Sequence, residues 1–113
     1  MEGLWYAHFN AGPVHGDGMA VLRNGEILGG DPAHTYTGSY QVDGKNIYAN
    51  VRVSPSAEAV VPDLERPLTI VLRGSLTGDS AIVSGHPVHH ADMTIAVELH
   101  RASRTASISE RPH

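Results

Sequence analysis

A short histidine-rich segment offers the most obvious candidates for metal chemistry. It contains three histidines and one aspartate: His86, His89, His90 and Asp92. Imidazole and carboxylate groups bind zinc and other transition metals, but the ligands must converge on one point. The adjacent His89 and His90 point to opposite faces of an extended segment, and Pro87 is typical of a loop. We therefore interpret the segment as a solvent-exposed loop and predict no metal site and no other cofactor.

Catalytic arrangements are a second kind of chemistry to test. The run His15-Gly16-Asp17-Gly18 is similar to the oxyanion element of esterases, but the sequence has no Gly-x-Ser-x-Gly elbow and no α/β pattern. The chain contains no cysteine, which excludes thiolate nucleophiles and sulfur-based zinc sites. Most acidic residues fall in predicted turns, where they do not form the carboxylate pair of a glycosidase. We therefore predict that the protein is not an enzyme and that residues 16–18 form a turn.

Gly29, Gly30 and Asp31 form the third candidate site. Glycine-rich loops bind phosphate where they open a helix, but no helical periodicity follows this run. The alternative is a tight exit from a strand, in which glycine allows a close backbone approach or a positive φ. In that role Asp31 accepts hydrogen bonds from backbone N–H groups. We predict this structural role.

The elements that must position these residues are predicted to be eight short β-strands. They cover residues 3–9, 19–23, 26–29, 35–42, 47–53, 68–73, 80–84 and 94–101. Asn24-Gly25 and Asp43-Gly44 are preferred pairs for two-residue hairpin turns, which need positive φ. Strands joined mostly by short turns favour an antiparallel up-and-down barrel, and closing the barrel removes both sheet edges. The fold class is therefore predicted to be all-β, an eight-stranded barrel.

The length of the chain limits the number of domains. A chain of 113 residues has room for one domain. We assign residues 1–101 to the barrel, with one long loop over 54–67. Residues 102–113 are polar and lack periodicity, which is typical of a flexible C-terminal tail.

Strand parity predicts which side chains face the barrel interior. Four of them are aromatic: Trp5, Phe9, Tyr36 and Tyr40. These rings are candidate contacts for an apolar ligand, because eight-stranded barrels either fill their interior or hold one small molecule. Small inward residues, Ala7, Gly38 and Ala49, leave space beside the rings. Both alternatives, a filled barrel and a ligand pocket, remain open at this point.

Two runs of residues carry a family resemblance. They are Gly25-Glu26-Ile27-Leu28-Gly29-Gly30-Asp31 and Tyr36-Thr37-Gly38-Ser39-Tyr40, preceded by Glu2-Gly3-Leu4-Trp5-Tyr6 and Gly16-Asp17-Gly18. Together they resemble the GrlR family, small bacterial proteins named for a negative regulator of type III secretion. The resemblance implies a lipocalin-like barrel, usually a homodimer, without enzymatic activity. The best-known member binds and inhibits a transcriptional activator. That member has an acidic turn after the Tyr-x-Gly-x-Tyr strand, and the corresponding residues of this chain are Asp43-Gly44-Lys45-Asn46.

The Gly3-Leu4-Trp5 run is similar to the Gly-x-Trp element on the first strand of lipocalins, where a basic side chain from the last strand covers the indole. By parity Arg101 faces inward at the end of the last predicted strand, beside the start of the first. A guanidinium placed over an indole contributes about 0.5 to 2 kcal/mol. We therefore expect Arg101 to cover Trp5 as a structural plug.

Charge and composition bear on partners and location. The formal net charge is −4 and the arginines are spread along the chain, which disfavours a nucleic-acid partner. The absence of cysteine, of a signal-like N-terminus and of a long apolar stretch leads us to expect a cytoplasmic protein that does not bind membranes. The leading hypothesis is a homodimeric regulator that binds a protein partner. The alternative is a small carrier or sensor of an apolar ligand.

Overall fold

Eight β-strands close into one antiparallel barrel within the described part of this computed structural model, which covers residues 1–12, 14–55 and 68–103. The strands are β1 Gly3–Ala11, β2 Val14–Arg23, β3 Glu26–Asp31, β4 His34–Asp43, β5 Asn46–Pro55, β6 Leu68–Thr77, β7 Ser80–Pro87 and β8 Ile95–Ser103. Each strand pairs with its neighbours in sequence, and β8 pairs with β1, with Tyr6 opposite His100. The predicted all-β, eight-stranded barrel is confirmed.

The hairpin turns set the register of the meander. Asn24 and Gly25 have φ values of 53° and 80°, as a type I′ turn between β2 and β3 requires. Asp43 pairs with Asn46, so the second turn consists of Gly44 and Lys45, one residue later than the predicted pair Asp43-Gly44, and Gly44 has a φ of 64°. With the register fixed in this way, Tyr36 and Tyr40 of β4 alternate with exposed neighbours and face inward, as their parity predicts.

Strand β2 begins at Val14, so the prediction of a turn at residues 16–18 is wrong. Gly16 and Gly18 lie within the strand because aromatic rings from other strands occupy the space inside them. A Cβ atom added to Gly16 would lie 2.8 Å from Cζ of Phe9, and one added to Gly18 would lie 3.0 Å from the hydroxyl oxygen of Tyr36. These glycines therefore make room for interior rings and do not turn the chain.

Other strand ends also differ from the predictions. Strand β7 continues to Pro87, so His86 and Pro87 belong to a strand and not to the predicted loop; the Pro87 side chain is fully buried. Strand β8 begins at Ile95 and extends to Ser103, two residues beyond the predicted domain boundary at 101. The rest of the predicted tail, and residues 56–67 of the predicted long loop, lie outside the described residues.

The tightest packing is at one end of the barrel. Its buried cluster is centred on Trp5 and joins small and aliphatic side chains: Ala20, Leu22, Ile47, Ala81 and Val83. The same end holds the β2–β3, β4–β5 and β6–β7 turns. Within the described ranges the chain forms no helix long and apolar enough to cross a membrane. Four members of this cluster, Ala20, Leu22, Ile47 and Val83, also line the cavity that extends from it through the barrel interior.

Candidate ligand-binding site

The barrel interior contains an apolar cavity of about 310 Å³ that is partly open to solvent. Every strand contributes inward side chains to its wall, including Phe9, Leu22, Tyr36, Val51, Leu72 and Val97. The volume lies at the lower end of the range of about 300 to 1,000 Å³ that is usual for small-molecule pockets. The arrangement can therefore hold one small molecule of mainly apolar character.

The closed end of the barrel is sealed by Trp5 and Arg101. The indole is fully buried, and its Nε1 donates a hydrogen bond of 3.2 Å to the Met1 carbonyl oxygen. Cζ of Arg101 lies 4.5 Å from the centroid of the ring, which confirms the pairing expected from parity. Nε of Arg101 also donates to Oδ1 of Asp79 at 2.7 Å, and a guanidinium Nη1 donates to the carbonyl oxygen of Glu2. Trp5 thus belongs to the plug, beneath the cavity, and does not line its wall.

The other three predicted aromatic contacts, Phe9, Tyr36 and Tyr40, do line the cavity. The hydroxyl of Tyr40 donates to Oε2 of Glu2 at 3.1 Å, at the closed end. Burial, reinforced by the hydrogen bond to Glu2, raises the pKa of Tyr40, so this hydroxyl stays protonated and fixed as a donor. The hydroxyl of Tyr36 points to the opposite end of the barrel.

A polar group of Asp31, His34 and Tyr36, here termed the Asp31 cluster, lies at that opposite end. The carboxylate accepts a hydrogen bond of 2.8 Å from the Ala33 N–H, as predicted for a strand exit, and another from the Tyr36 hydroxyl. Its Oδ1 lies 3.1 Å from Nδ1 of His34. The Asp31 side chain is 7% exposed and that of His34 is 24% exposed. A nearly buried carboxylate is thus held by three donors beside the cavity.

The pKa shifts fix the charge of the Asp31 cluster. Burial disfavours the charged carboxylate, but the hydrogen bonds from Tyr36, Ala33 and His34 outweigh it and hold the pKa of Asp31 below its ordinary value of 3.8. Burial and the adjacent carboxylate raise the pKa of Tyr36 far above its ordinary value of 10.0. At neutral pH the cluster therefore contains an ionised Asp31 and a protonated Tyr36.

Sequence reasoning identifies Asp31 and Tyr36 but not His34, because the predicted strand begins one residue after it. The signal that identifies His34 is parity: it shares the inward face of β4 with Tyr36 and Tyr40. Both His34 and Tyr36 line the cavity. Gly29 lies inside β3, where an added Cβ would collide with the carbonyl oxygen of Met19, so a close backbone approach explains this glycine.

The histidine-rich segment does not form a comparable cluster. Nδ1 of His86 donates to the Pro87 carbonyl oxygen at 2.9 Å, and His89, His90 and Asp92 are exposed. Across the residues that the structure describes, no three or more histidine, aspartate or glutamate side chains are arranged to hold a metal ion. None of residues 86–92 lines the cavity, whereas Met93, which follows them, does.

The outer surface of the barrel carries an apolar area of five side chains, here termed the β1–β3 outer face. Tyr6, Met19 and Leu28 are exposed, and Leu4 and Val21 between them are half-buried. The register places Tyr6 opposite Met19, and Val21 opposite both Leu4 and Leu28, so the five are contiguous. Leu28 is 62% exposed. Contiguous apolar surface of this kind is typical of protein interaction sites.

Comparison with known proteins does not identify a ligand or a partner for this chain. Neither the models of known protein families nor the curated proteins include a match to this chain. The resemblance to the GrlR family therefore stays a prediction from the sequence. The cavity and the β1–β3 outer face are the features on which a function can be based.

Proposed function

We propose that this chain is a non-enzymatic binding protein whose barrel holds one small apolar molecule, acting as a carrier or sensor. The observation that carries the proposal is the cavity of about 310 Å³, whose wall is formed almost entirely by aliphatic and aromatic side chains. Burying one methylene contributes about 0.8 kcal/mol. A ligand that buries eight of them gains about 6 kcal/mol, which corresponds to an affinity between millimolar and micromolar before association costs.

The size of the side chains on the cavity wall supports a ligand. Alanines, here Ala7, Ala11 and Ala49, stand at wall positions where larger side chains would fill the space. Their small size is consistent with a cavity that serves to bind.

The test is a fluorescence titration with N-phenylnaphthylamine, an uncharged apolar probe, followed by displacement with straight-chain alcohols of increasing length. We expect the affinity to rise about fourfold per added methylene and to stop rising when the chain outgrows the cavity. The Leu28→Ser variant, changed only on the β1–β3 outer face, should bind the probe as the natural chain does. Absence of probe binding, or an affinity that depends on Leu28, would overturn the proposal.

The β1–β3 outer face supports a second function, that of a homodimeric regulator. Pairing this face with the same face of a second copy buries apolar surface on both chains, as a two-fold dimer does. The dimer would then act by binding a protein partner. Under the GrlR resemblance that partner is a transcriptional activator and the outcome is negative regulation of type III secretion.

Sedimentation velocity tests the dimer with a matched pair of variants. Leu28 and Ile82 are 62% and 61% exposed. Ile82 lies on β7, and the residues paired with it on β6 and β8, Ser75 and Glu98, are both polar. We expect the natural chain and Ile82→Ser to sediment as dimers and Leu28→Ser to shift toward the monomer. A monomeric natural chain, or equal effects of the two substitutions, would contradict this second function.

A further inference from the structure

The Asp31 cluster holds an ionised carboxylate beside the cavity, which the binding of a wholly apolar ligand does not require. A carboxylate can only accept hydrogen bonds, with about four positions on its two oxygens. Here it accepts one hydrogen bond from the Tyr36 hydroxyl and one from the Ala33 N–H, and it faces Nδ1 of His34. Holding an ionised side chain at 7% exposure beside apolar walls is favourable only because these donors are in place.

The hydrogen bonds to the Asp31 carboxylate determine which atoms of His34 and Tyr36 stay available to a ligand. When Nδ1 carries the proton that is donated to Asp31, Nε2 of the neutral ring is left with a lone pair. The only hydrogen of the Tyr36 hydroxyl is already donated in the bond to Asp31, so the Tyr36 oxygen can only accept a further hydrogen bond. No hydrogen-bond partner for Nε2 of His34 occurs among residues 1–12, 14–55 and 68–103. Both residues line the cavity, and the atoms that stay available on them, Nε2 of the neutral His34 ring and the oxygen of Tyr36, are hydrogen-bond acceptors.

Resting on the proposed function, we propose that the Asp31 cluster selects the head group of the ligand, so that the cavity prefers apolar molecules ending in a hydrogen-bond donor. The class is long-chain amines and alcohols. A fatty acid of the same length has an ionised, acceptor-only head group, which cannot bond to the acceptor atoms of His34 and Tyr36. The negative charge of Asp31 attracts an ammonium group and repels a carboxylate.

The experiment compares three ligands that differ only in the head group: decylamine, decanol and decanoate. Each displaces N-phenylnaphthylamine from the natural chain in mildly alkaline buffer, below its micelle concentration. We expect decylamine to bind at least about tenfold more tightly than decanoate, since a hydrogen bond to a charged group contributes about 1.5 to 3 kcal/mol. Decanol should lie between the two.

Two conservative variants locate the selectivity. Tyr36→Phe removes the acceptor oxygen at the Asp31 cluster and keeps the ring that lines the cavity. Tyr48→Phe removes a hydroxyl on the outer surface of β5, where Tyr48 is 43% exposed and does not line the cavity. We expect Tyr36→Phe to reduce the preference for decylamine over decanoate severalfold. Tyr48→Phe should leave both the probe affinity and the preference as they are.

The outcomes separate the two proposals. If the probe fails to bind the natural chain, the proposed function itself fails. If the probe binds but decanoate competes as well as decylamine, the cavity binds ligands without the head-group selection proposed here. An equal loss of preference in the Tyr36 and Tyr48 variants would also contradict the role of the Asp31 cluster, because it would show that the loss does not depend on the position of the hydroxyl.

Discussion

Replacing Ala49 with leucine tests whether the barrel interior is truly unfilled. Ala49 lies on β5, faces inward and lines the cavity. Leucine adds three carbon atoms, and burying them in existing space contributes about 2 kcal/mol to the free energy of unfolding. For a domain of this length that corresponds to a rise in melting temperature on the order of 10 °C. The same side chain occupies ligand space, so the affinity for N-phenylnaphthylamine should fall.

Thermal unfolding and probe titration are measured on the same preparations, with Ala96→Leu as the control. Ala96 lies on β8, outside the cavity wall. Leucine at this position should therefore neither raise the melting temperature nor lower the affinity for N-phenylnaphthylamine. In a filled interior, by contrast, the extra carbons of Ala49→Leu would force strain of about 1 to 3 kcal/mol. A lowered melting temperature, or a gain in stability with unchanged probe binding, would refute the reasoning about the cavity.

Three further perturbations test the plug, the Asp31 cluster and the interior glycines. Arg101→Met removes the guanidinium from Trp5 and should lower the free energy of unfolding by about 1 kcal/mol, with a change in indole fluorescence; no change in either would argue against the plug. Because the pKa of Asp31 is lowered in the folded chain, its stabilising effect is present above the unfolded value of about 4 and is lost as the pH falls below it. The stability gap between the natural chain and Asp31→Asn, measured by urea unfolding, should therefore close on acidification, and a gap that is constant with pH would contradict this. Gly18→Ala places a Cβ 3.0 Å from the Tyr36 ring and 2.9 Å from the Gly30 carbonyl oxygen, and it should lower stability by about 1 to 3 kcal/mol; a neutral effect on the urea midpoint would show that the ring can move aside.

The features that sequence reasoning predicts well depend on local chemistry or on parity. Asn24-Gly25 specifies its own hairpin turn, because few other residue pairs accept two positive φ values. Alternation along β4 places the tyrosines inside. Closure of an antiparallel meander brings the first strand beside the last, and this is sufficient to pair Trp5 with Arg101.

The features that the sequence does not predict depend on residues far apart in the chain. Residues 16–18 have the composition of a turn. Gly16 and Gly18 instead leave room for two rings from other strands, Phe9 of β1 and Tyr36 of β4. His34 falls outside the predicted strand, and its role depends on the position of Asp31 across the β3–β4 turn. The volume of the cavity results from the balance of large and small side chains on all eight strands, which no single segment reveals.

Native mass spectrometry of the protein purified from its own host tests the central claim most directly. The expected result is a folded species that carries a noncovalent small-molecule mass, released on collisional activation and less abundant in the Ala49→Leu variant. Recovery of the natural chain with an empty barrel, as a bare dimer or monomer, would contradict ligand binding as its function, and a bare dimer would favour the regulator that acts through the β1–β3 outer face.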